Sequence, residues 1–329
     1  MTNKLQTSES TVVIGALARN CDEALRRNIP LVEKMGEAFK AYTVIVYEND
    51  SIDDTKEILK QWKMQNEHVV VITEDTHTAT VPQQSKQVPF PSMSIARIEK
   101  MARFRNRILS EVHRIKPDIY ITLDIDVGCF DPATVAEAID NAPANWGGLF
   151  GNAIVYKVYS DNVTKDPRSF DTYAFVEDHV DPVANSPFLL NENKCHFVYG
   201  MRLTSRCNKV SYNPCGSAFN FIGIYRYAAI EGSDYSVCTP PPTEPYSVAL
   251  CEHIPFNLAI RRKGYGNYLV RNLKMLDYHH QKDYKGMGKW KEKHETLHQV
   301  LKNFPSFATL PIYALRYKLG LYPYKRLHS

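Results

Sequence analysis

Two aspartates separated by one residue, Asp124 and Asp126, close the apolar run IYITLDIDV at residues 119–127. Ile119, Tyr120, Ile121 and Thr122, bounded by Pro117 and Gly128, read as a short buried strand. Carboxylates do not belong inside such a strand, so the pair is expected at its carboxyl end, where open α/β sheets place their ligands. Side chains alternate along a strand, so both aspartates project to one side, about 7 Å apart. Hard oxygens at that spacing suit one divalent ion, Mn²⁺ or Mg²⁺, shared with the phosphates of a nucleotide. A solvated turn after a strand carries the same pattern, and only the surrounding elements decide between the two.

Those elements alternate. Thr11 to Leu17, TVVIGAL, is a continuous apolar run with a polar exit at Arg19 and Asn20, and reads as a first buried strand. Asp22 can cap a helix on which Leu25, Ile29, Val32, Met35 and Phe39 keep helical spacing, with Pro30 expected to kink or split it. Thr43 to Tyr47 is a second strand, exiting into Glu48, Asn49 and Asp50; Val69 to Ile72 is a third, ending at Glu74 and Asp75. Strands alternating with helices make a parallel sheet with a ligand crevice along its carboxyl edge. No G-x-G-x-x-G or G-x-x-x-x-G-K-[ST] stands at these strand ends, which argues against a dinucleotide dehydrogenase and a P-loop enzyme. Something other than a glycine loop must then hold phosphates, and a divalent ion is the obvious substitute.

Residues 76–92, with Pro82, Pro89 and Pro91, form a loop of the length expected of a lid or binding loop. Met93 to Ile115 follows as an amphipathic helix rich in arginine. Its arginines serve either a solvated face or a diphosphate, which guanidinium groups clamp in a bidentate way; Arg103 is the choice for the second role. Pro132 to Asn141 reads as a helix and Gly147 to Val158 as a strand, with an irregular region from Tyr159 to Asn193 that includes FDTYAFVED. NPCGSAFNFIGIYR at Asn213 to Arg226 leads small residues into an apolar strand, and Glu252 and His253 end another apolar run.

Composition narrows the class. The chain has 329 residues, 44% hydrophobic and 23% charged, with net charge +4, too little to argue for nucleic acid. Neither a secretory leader nor an 18-residue apolar run is present, so a cytoplasmic location is the expectation. Seven scattered cysteines without a C-x-x-C pair indicate reduced thiols. Residues 285–329 carry nine Lys or Arg against two Glu, interleaved with Phe, Leu and Ile, which suits either a packed helix with a basic face or peripheral contact with an anionic membrane.

Taken together, VVIGALARN, ENDSIDDT, the arginine helix, LDIDV, NPCGSAFNFIGIYR and CEH resemble a nucleotide-sugar glycosyltransferase of the GT-A fold. More narrowly, ARFRNRIL, ITLDIDV, FDTYAF and CEH are similar to the fungal capsule-associated mannosyltransferase family and its bacterial relatives, over about residues 11 to 260. The resemblance implies an α/β, GT-A (Rossmann-like) fold: a mixed, mostly parallel sheet flanked by helices, with a C-terminal helical extension. The divisions that follow are a tail at 1–10, a transferase domain at 11–270 with a nucleotide-binding half to about 130 and an acceptor half beyond it, and a basic, aromatic extension at 271–329.

Carried onto this chain, the resemblance implies that Asp124 and Asp126 hold Mn²⁺ or Mg²⁺ against the donor diphosphate, with His253 as a third ligand. Glu48, Asp50 and Asp75 would contact the nucleoside, since carboxylates accept from ribose hydroxyls or a base N–H. The implied activity moves a sugar, mannose on the narrower match, from a GDP- or UDP-sugar to a hydroxyl of a glycan or lipid-linked acceptor in surface polysaccharide synthesis. An inverting mechanism needs a carboxylate base, with Glu252 and Asp171 as candidates; a retaining one needs none. Two other readings stay open: a sugar-phosphate nucleotidyltransferase, though ALARN is not its glycine-rich phosphate loop, and a carbohydrate- or nucleotide-binding protein without turnover.

Overall fold

A computed structural model describes residues 4–79, 81–85, 91–159, 162–165, 171, 173–179, 210–239, 248–279 and 291–294. The apolar runs become strands as their composition requires: β1 (Thr11–Ala18), β2 (Ala41–Glu48), β3 (Val69–Thr73) and β4 (Ile119–Asp124). Three helices alternate with them, α1 (Asp22–Gly36), α2 (Thr55–Gln65) and α3 (Ile95–Ile115). The chain continues through β5 (Cys129–Phe130), α4 (Pro132–Asp140), β6 (Trp146–Tyr159), β7 (Asn162–Lys165), β8 (Val176–Glu177), β9 (Tyr212–Ser217), β10 (Ile222–Arg226) and the single turn α5 (Tyr227–Ile230). Then come α6 (His253–Arg262), β11 (Gly266–His279) and β12 (Lys291–His294).

The sheet runs β3-β2-β1-β4-β10-β6-β11-β9-β8. Its first four strands are parallel, β10 is antiparallel to both neighbours, and β6 and β11 are again parallel to each other. One apolar layer, including Leu25, Val32, Leu59, Trp62 and Val135, covers one face with α1, α2 and α4. The other, including Phe104, Ile108, Val112, Ile254 and Ile260, packs α3 and α6 on the opposite face. Burying both faces explains why the parallel strands read as unbroken apolar runs rather than alternating ones. Gly15 sits where α3 crosses β1: a Cβ there would lie 2.6 Å from Ile108 Cγ2, so a larger residue would push the helix away.

The structure departs from the sequence reading in several places. Helix α1 passes through Pro30 unbroken, because Leu25, Val32 and Met35 lock its buried face against the sheet and outweigh one missing backbone bond. Its N-terminus is satisfied from the following loop instead of by Asp22: the Cys21 amide donates to Thr55 Oγ1 at 2.9 Å and the Asp22 amide to Asp53 at 3.3 Å. The segment before β1 is no free tail, since Thr7 donates through its amide and its hydroxyl to Asp140 at 2.7 Å. Residues 271–279, assigned on sequence to a helical extension, belong to strand β11, which pairs with β6 over ten positions. The rest of that extension lies outside the described residues, apart from the short strand β12. Among the described residues no helix is long and apolar enough to cross a membrane.

Candidate active site

Strand β4 delivers the acidic pair. The Asp124 amide donates to the Phe221 carbonyl at 2.8 Å and the Val127 amide to the Asp124 carbonyl at 3.1 Å, so the chain turns as it leaves the sheet. Both aspartates line a cavity of about 770 Å³ at the carboxyl edge of β1 and β4, together with Asp171, Glu252 and His253. Five acidic or imidazole side chains named on sequence therefore meet in one place. Asp126 is exposed and the Asp124 side chain is 31% exposed, both on the cavity wall.

A buried cation stands behind them. Arg105, 4% exposed, donates through Nε to Glu252 Oε1 at 3.0 Å and through Nη1 to Thr122 Oγ1 at 3.2 Å, and its Nη2 lies 3.6 Å from Asp124. Its guanidinium also lies over the rings of Phe219, at 5.0 Å, and Tyr235, at 5.9 Å. Burial disfavours its charge, yet Glu252 and Asp124 more than compensate and hold its proton firmly. Burial and repulsion from Asp126, Asp171 and Glu252 push the Asp124 carboxyl up to about 7, against the pull of Arg105. Burial, with repulsion from Glu252, likewise raises Asp171 to about 6, although its carboxylate accepts from the Ala174 amide at 3.1 Å.

His253 opens α6 and is 1% exposed, stacked on Phe219 with ring centroids 4.0 Å apart. Burial and the Arg105 charge hold its imidazole well below the usual histidine range, so it is neutral. Neither ring nitrogen has a hydrogen-bond partner, and the nearer approach to Glu252 is 3.8 Å.

The other sequence candidates lie elsewhere. Glu48 is fully buried and accepts from the Ser51 amide at 2.9 Å, closing the turn after β2. Asp50 works as a staple: despite the burial that opposes ionisation, donation from Thr76 Oγ1, the His77 amide and Asn49 holds its carboxyl far below the usual range. Asp75 is bound by Lys56 at 2.6 Å, which keeps its carboxyl low. The cavity wall in this corner is made instead by Arg19, Asn20, Asn49 and Ala79. Arg103 is not brought to the cavity; it lies over Phe104 on the exposed flank of α3.

Arg105 and Arg97 line the cavity in its place, and a signal for Arg105 was present. Ile98, Ala102, Arg105, Leu109 and Val112 are spaced four, three, four and three apart, so Arg105 occupies a core position of the buried stripe. A charge at such a position is almost never left without partners.

Whether these residues suit a divalent ion turns on the donors. Asp124 and Asp126 offer hard oxygens on one wall, and their repulsion is what a dication relieves. They fit. Among the described residues no three Asp, Glu, His or Cys side chains converge on one point, so His253 is not placed as a third ligand, despite its unpartnered nitrogens.

A sheet built on β3-β2-β1-β4, with an aspartate pair at the end of β4 over a polar cleft, defines the class: a GT-A fold, the architecture of nucleotide-sugar glycosyltransferases. More particularly, residues 11–140, from β1 to the end of α4, match the family described as Cryptococcal mannosyltransferase 1. No curated protein sequence matches the chain. Similar solved structures include the mannosyltransferase PcManGT from Pyrobaculum calidifontis in complex with GDP-Man and Mn²⁺, at 10% identity and TM-score 0.43, covering 84% of this chain and 59% of that one. GalNAc-T7 with UDP, GalNAc and Mn²⁺ matches at 11% identity and TM-score 0.43, over 86% and 45% of the two chains. TarS from S. aureus matches at 13% and 0.40, over 82% and 60%. The chain thus spans about half to three fifths of the length of these proteins.

Proposed function

We propose that this chain is a metal-dependent glycosyltransferase that moves a sugar from a nucleotide-sugar donor to a hydroxyl of a glycan or lipid-linked acceptor. The observation that carries the reading is the cavity at the end of β4, where Asp124, Asp126, Asp171 and Glu252 gather around a fully engaged Arg105. Mannose from a GDP- or UDP-sugar is the narrower proposal, supported by the description of the family that residues 11–140 match.

In this reading Asp124 and Asp126 hold Mn²⁺ or Mg²⁺. When bound, such an ion offsets the negative charge that grows on the diphosphate as the bond to the anomeric carbon breaks. Arg105 acts from behind: with Nε on Glu252 and Nη2 beside Asp124, it keeps the carboxylates from splaying apart before ligands arrive. Asn20 and Asn49, on the cavity wall at the exits of β1 and β2, contact the nucleoside, while Asp50 holds that corner in shape. Asp171 is the better base for the acceptor hydroxyl. Both Glu252 oxygens are occupied, by Arg105 and by the Cys251 thiol at 3.7 Å, whereas the Asp171 carboxyl, raised to about 6, is poised to take up a proton.

The test is transfer and slow hydrolysis with UDP-, GDP- and CMP-sugars in Mn²⁺. Asp124→Asn and Asp126→Asn are expected to lower turnover on the order of a thousandfold, with melting temperatures close to that of the unaltered chain. Undiminished turnover of the double variant in EDTA would remove the reading.

A further inference from the structure

Three guanidinium groups line the cavity: Arg19, Arg97 and Arg105. Two already face carboxylates. Arg19 lies 3.6 Å from Asp50, and Arg105 spends Nε, Nη1 and Nη2 on Glu252, Thr122 and Asp124. Arg97 differs. Among the described residues no carboxylate stands within salt-bridge distance of it; its Nη1 donates to the Ser92 carbonyl at 3.0 Å, and its Nε is buried without a hydrogen-bond partner.

A charged donor buried and unpaired costs more than a neutral one, and one in a cavity wall calls for an acceptor supplied from outside. The backbone beneath it is well fixed. The Arg97 amide donates to Ser94 Oγ in the first turn of α3, Ser94 bridges to Val248, and the Met93 carbonyl accepts from the Ala249 amide. Tyr173 closes the same wall by donating to the Ala249 carbonyl. With Nη1 turned to Ser92, the edge formed by Nε and Nη2 is left open, and that edge is the planar fork that matches two phosphate oxygens.

We infer that Arg97 binds a phosphate-class group of the ligand that occupies this cavity. The inference deepens the transferase reading, in which two sources carry that chemistry: the diphosphate of the donor and the diphosphate of a lipid-linked acceptor. Arg97 supplies charge where the acidic wall alone would repel either one. Arg105 cannot share this task, because its donors are already engaged by residues of the chain itself.

The experiment is calorimetric binding to the full chain in EDTA, so that no metal intervenes, comparing the unaltered protein with Arg97→Gln and Arg97→Lys. The probes are inorganic pyrophosphate, GDP and UDP with their nucleosides, and a short-chain prenyl diphosphate. Arg97→Gln is expected to weaken pyrophosphate at least tenfold and Arg97→Lys less, with the nucleosides unaffected and both variants melting near the parent. A matching loss for GDP or UDP assigns Arg97 to the donor; a loss confined to the prenyl diphosphate assigns it to the acceptor. Equal affinities in parent and Arg97→Gln for every diphosphate, or no diphosphate binding by the parent, would overturn the inference. Binding is read without turnover. A tenfold loss in a chain that transfers no sugar keeps Arg97 and removes the transferase reading, while unchanged affinity in an active transferase removes Arg97 alone.

Discussion

Asp171 shows how one carboxyl in this cavity links pH to stability. Its folded value of about 6 lies above the ordinary aspartate range, chiefly through burial and then through Glu252. As pH rises from about 4 to 6 the unfolded chain gives up this proton before the native one does. The native state therefore binds more protons across that window, and stability falls with rising pH there. Asp171→Asn keeps an oxygen to accept from the Ala174 amide but removes the titration. The variant should gain on the order of 2 kcal/mol relative to the parent between pH 4 and pH 7, measured by urea unfolding in EDTA; an identical stability difference at both pH values would contradict the account. Residues of this kind were legible because their types are out of place: acids that close apolar runs gave Asp124, Asp126 and Glu252, and the polar stretch FDTYAFVED gave Asp171. Arg105 was passed over for Arg103 because two residues along a helix is roughly half a turn, and choosing between them needs the buried face of α3 rather than its composition.

The turn between β9 and β10 is the element that joins the two halves of the site. Asn220 and Phe221 both have positive φ, at 53° and 72°, and for a bulky residue such as Phe221 that is uncommon. The Phe221 carbonyl accepts from the Asp124 amide, Asn220 Oδ1 accepts from the Asp171 amide at 2.9 Å, and Asn220 Nδ2 donates to the Gly151 carbonyl at 3.0 Å. Phe219, one residue earlier, carries His253 on one side and Arg105 near its face. Asn220→Gly keeps the left-handed backbone but drops both side-chain bonds; Asn220→Ala drops the bonds and strains the turn as well. Ala is therefore expected to cost about 1 kcal/mol more than Gly, and each about 1–3 kcal/mol for the buried groups left unpaired. Equal destabilisation by the two would show that the turn conformation carries no strain. Strands β1 to β4 were readable because burial on both faces makes each a continuous apolar run. Strand β11 was not. GNYLVRNLKMLDYH mixes apolar and polar residues, its pairing with β6 shifts register between Leu269 and Lys274, and only that long-range partner makes it a strand.

At the scale of the whole molecule, the cavity lies where the parallel strands β3-β2-β1-β4 meet the mixed strands that begin with β10. Asp124 and Asp126 come from the first group, and Asp171, Glu252 and His253 from segments packed on the second, so the site exists only when both are assembled. A ligand that spans them binds the native chain and not the unfolded one, and at a hundred times its dissociation constant it adds about 2.7 kcal/mol. For a chain of this size that corresponds to a rise of several degrees in melting temperature. Mn²⁺ together with the correct nucleotide-sugar should therefore raise the melting temperature by more than either one alone, because the ion is held between the aspartates and the diphosphate. Asp124→Asn and Asp126→Asn should lose the part that depends on Mn²⁺ and keep the part due to the nucleotide, whose contacts at Asn20 and Asn49 do not touch the acidic pair. A rise of the same size in EDTA would mean that the nucleotide is held without the aspartates, and that the acidic wall serves something other than the donor.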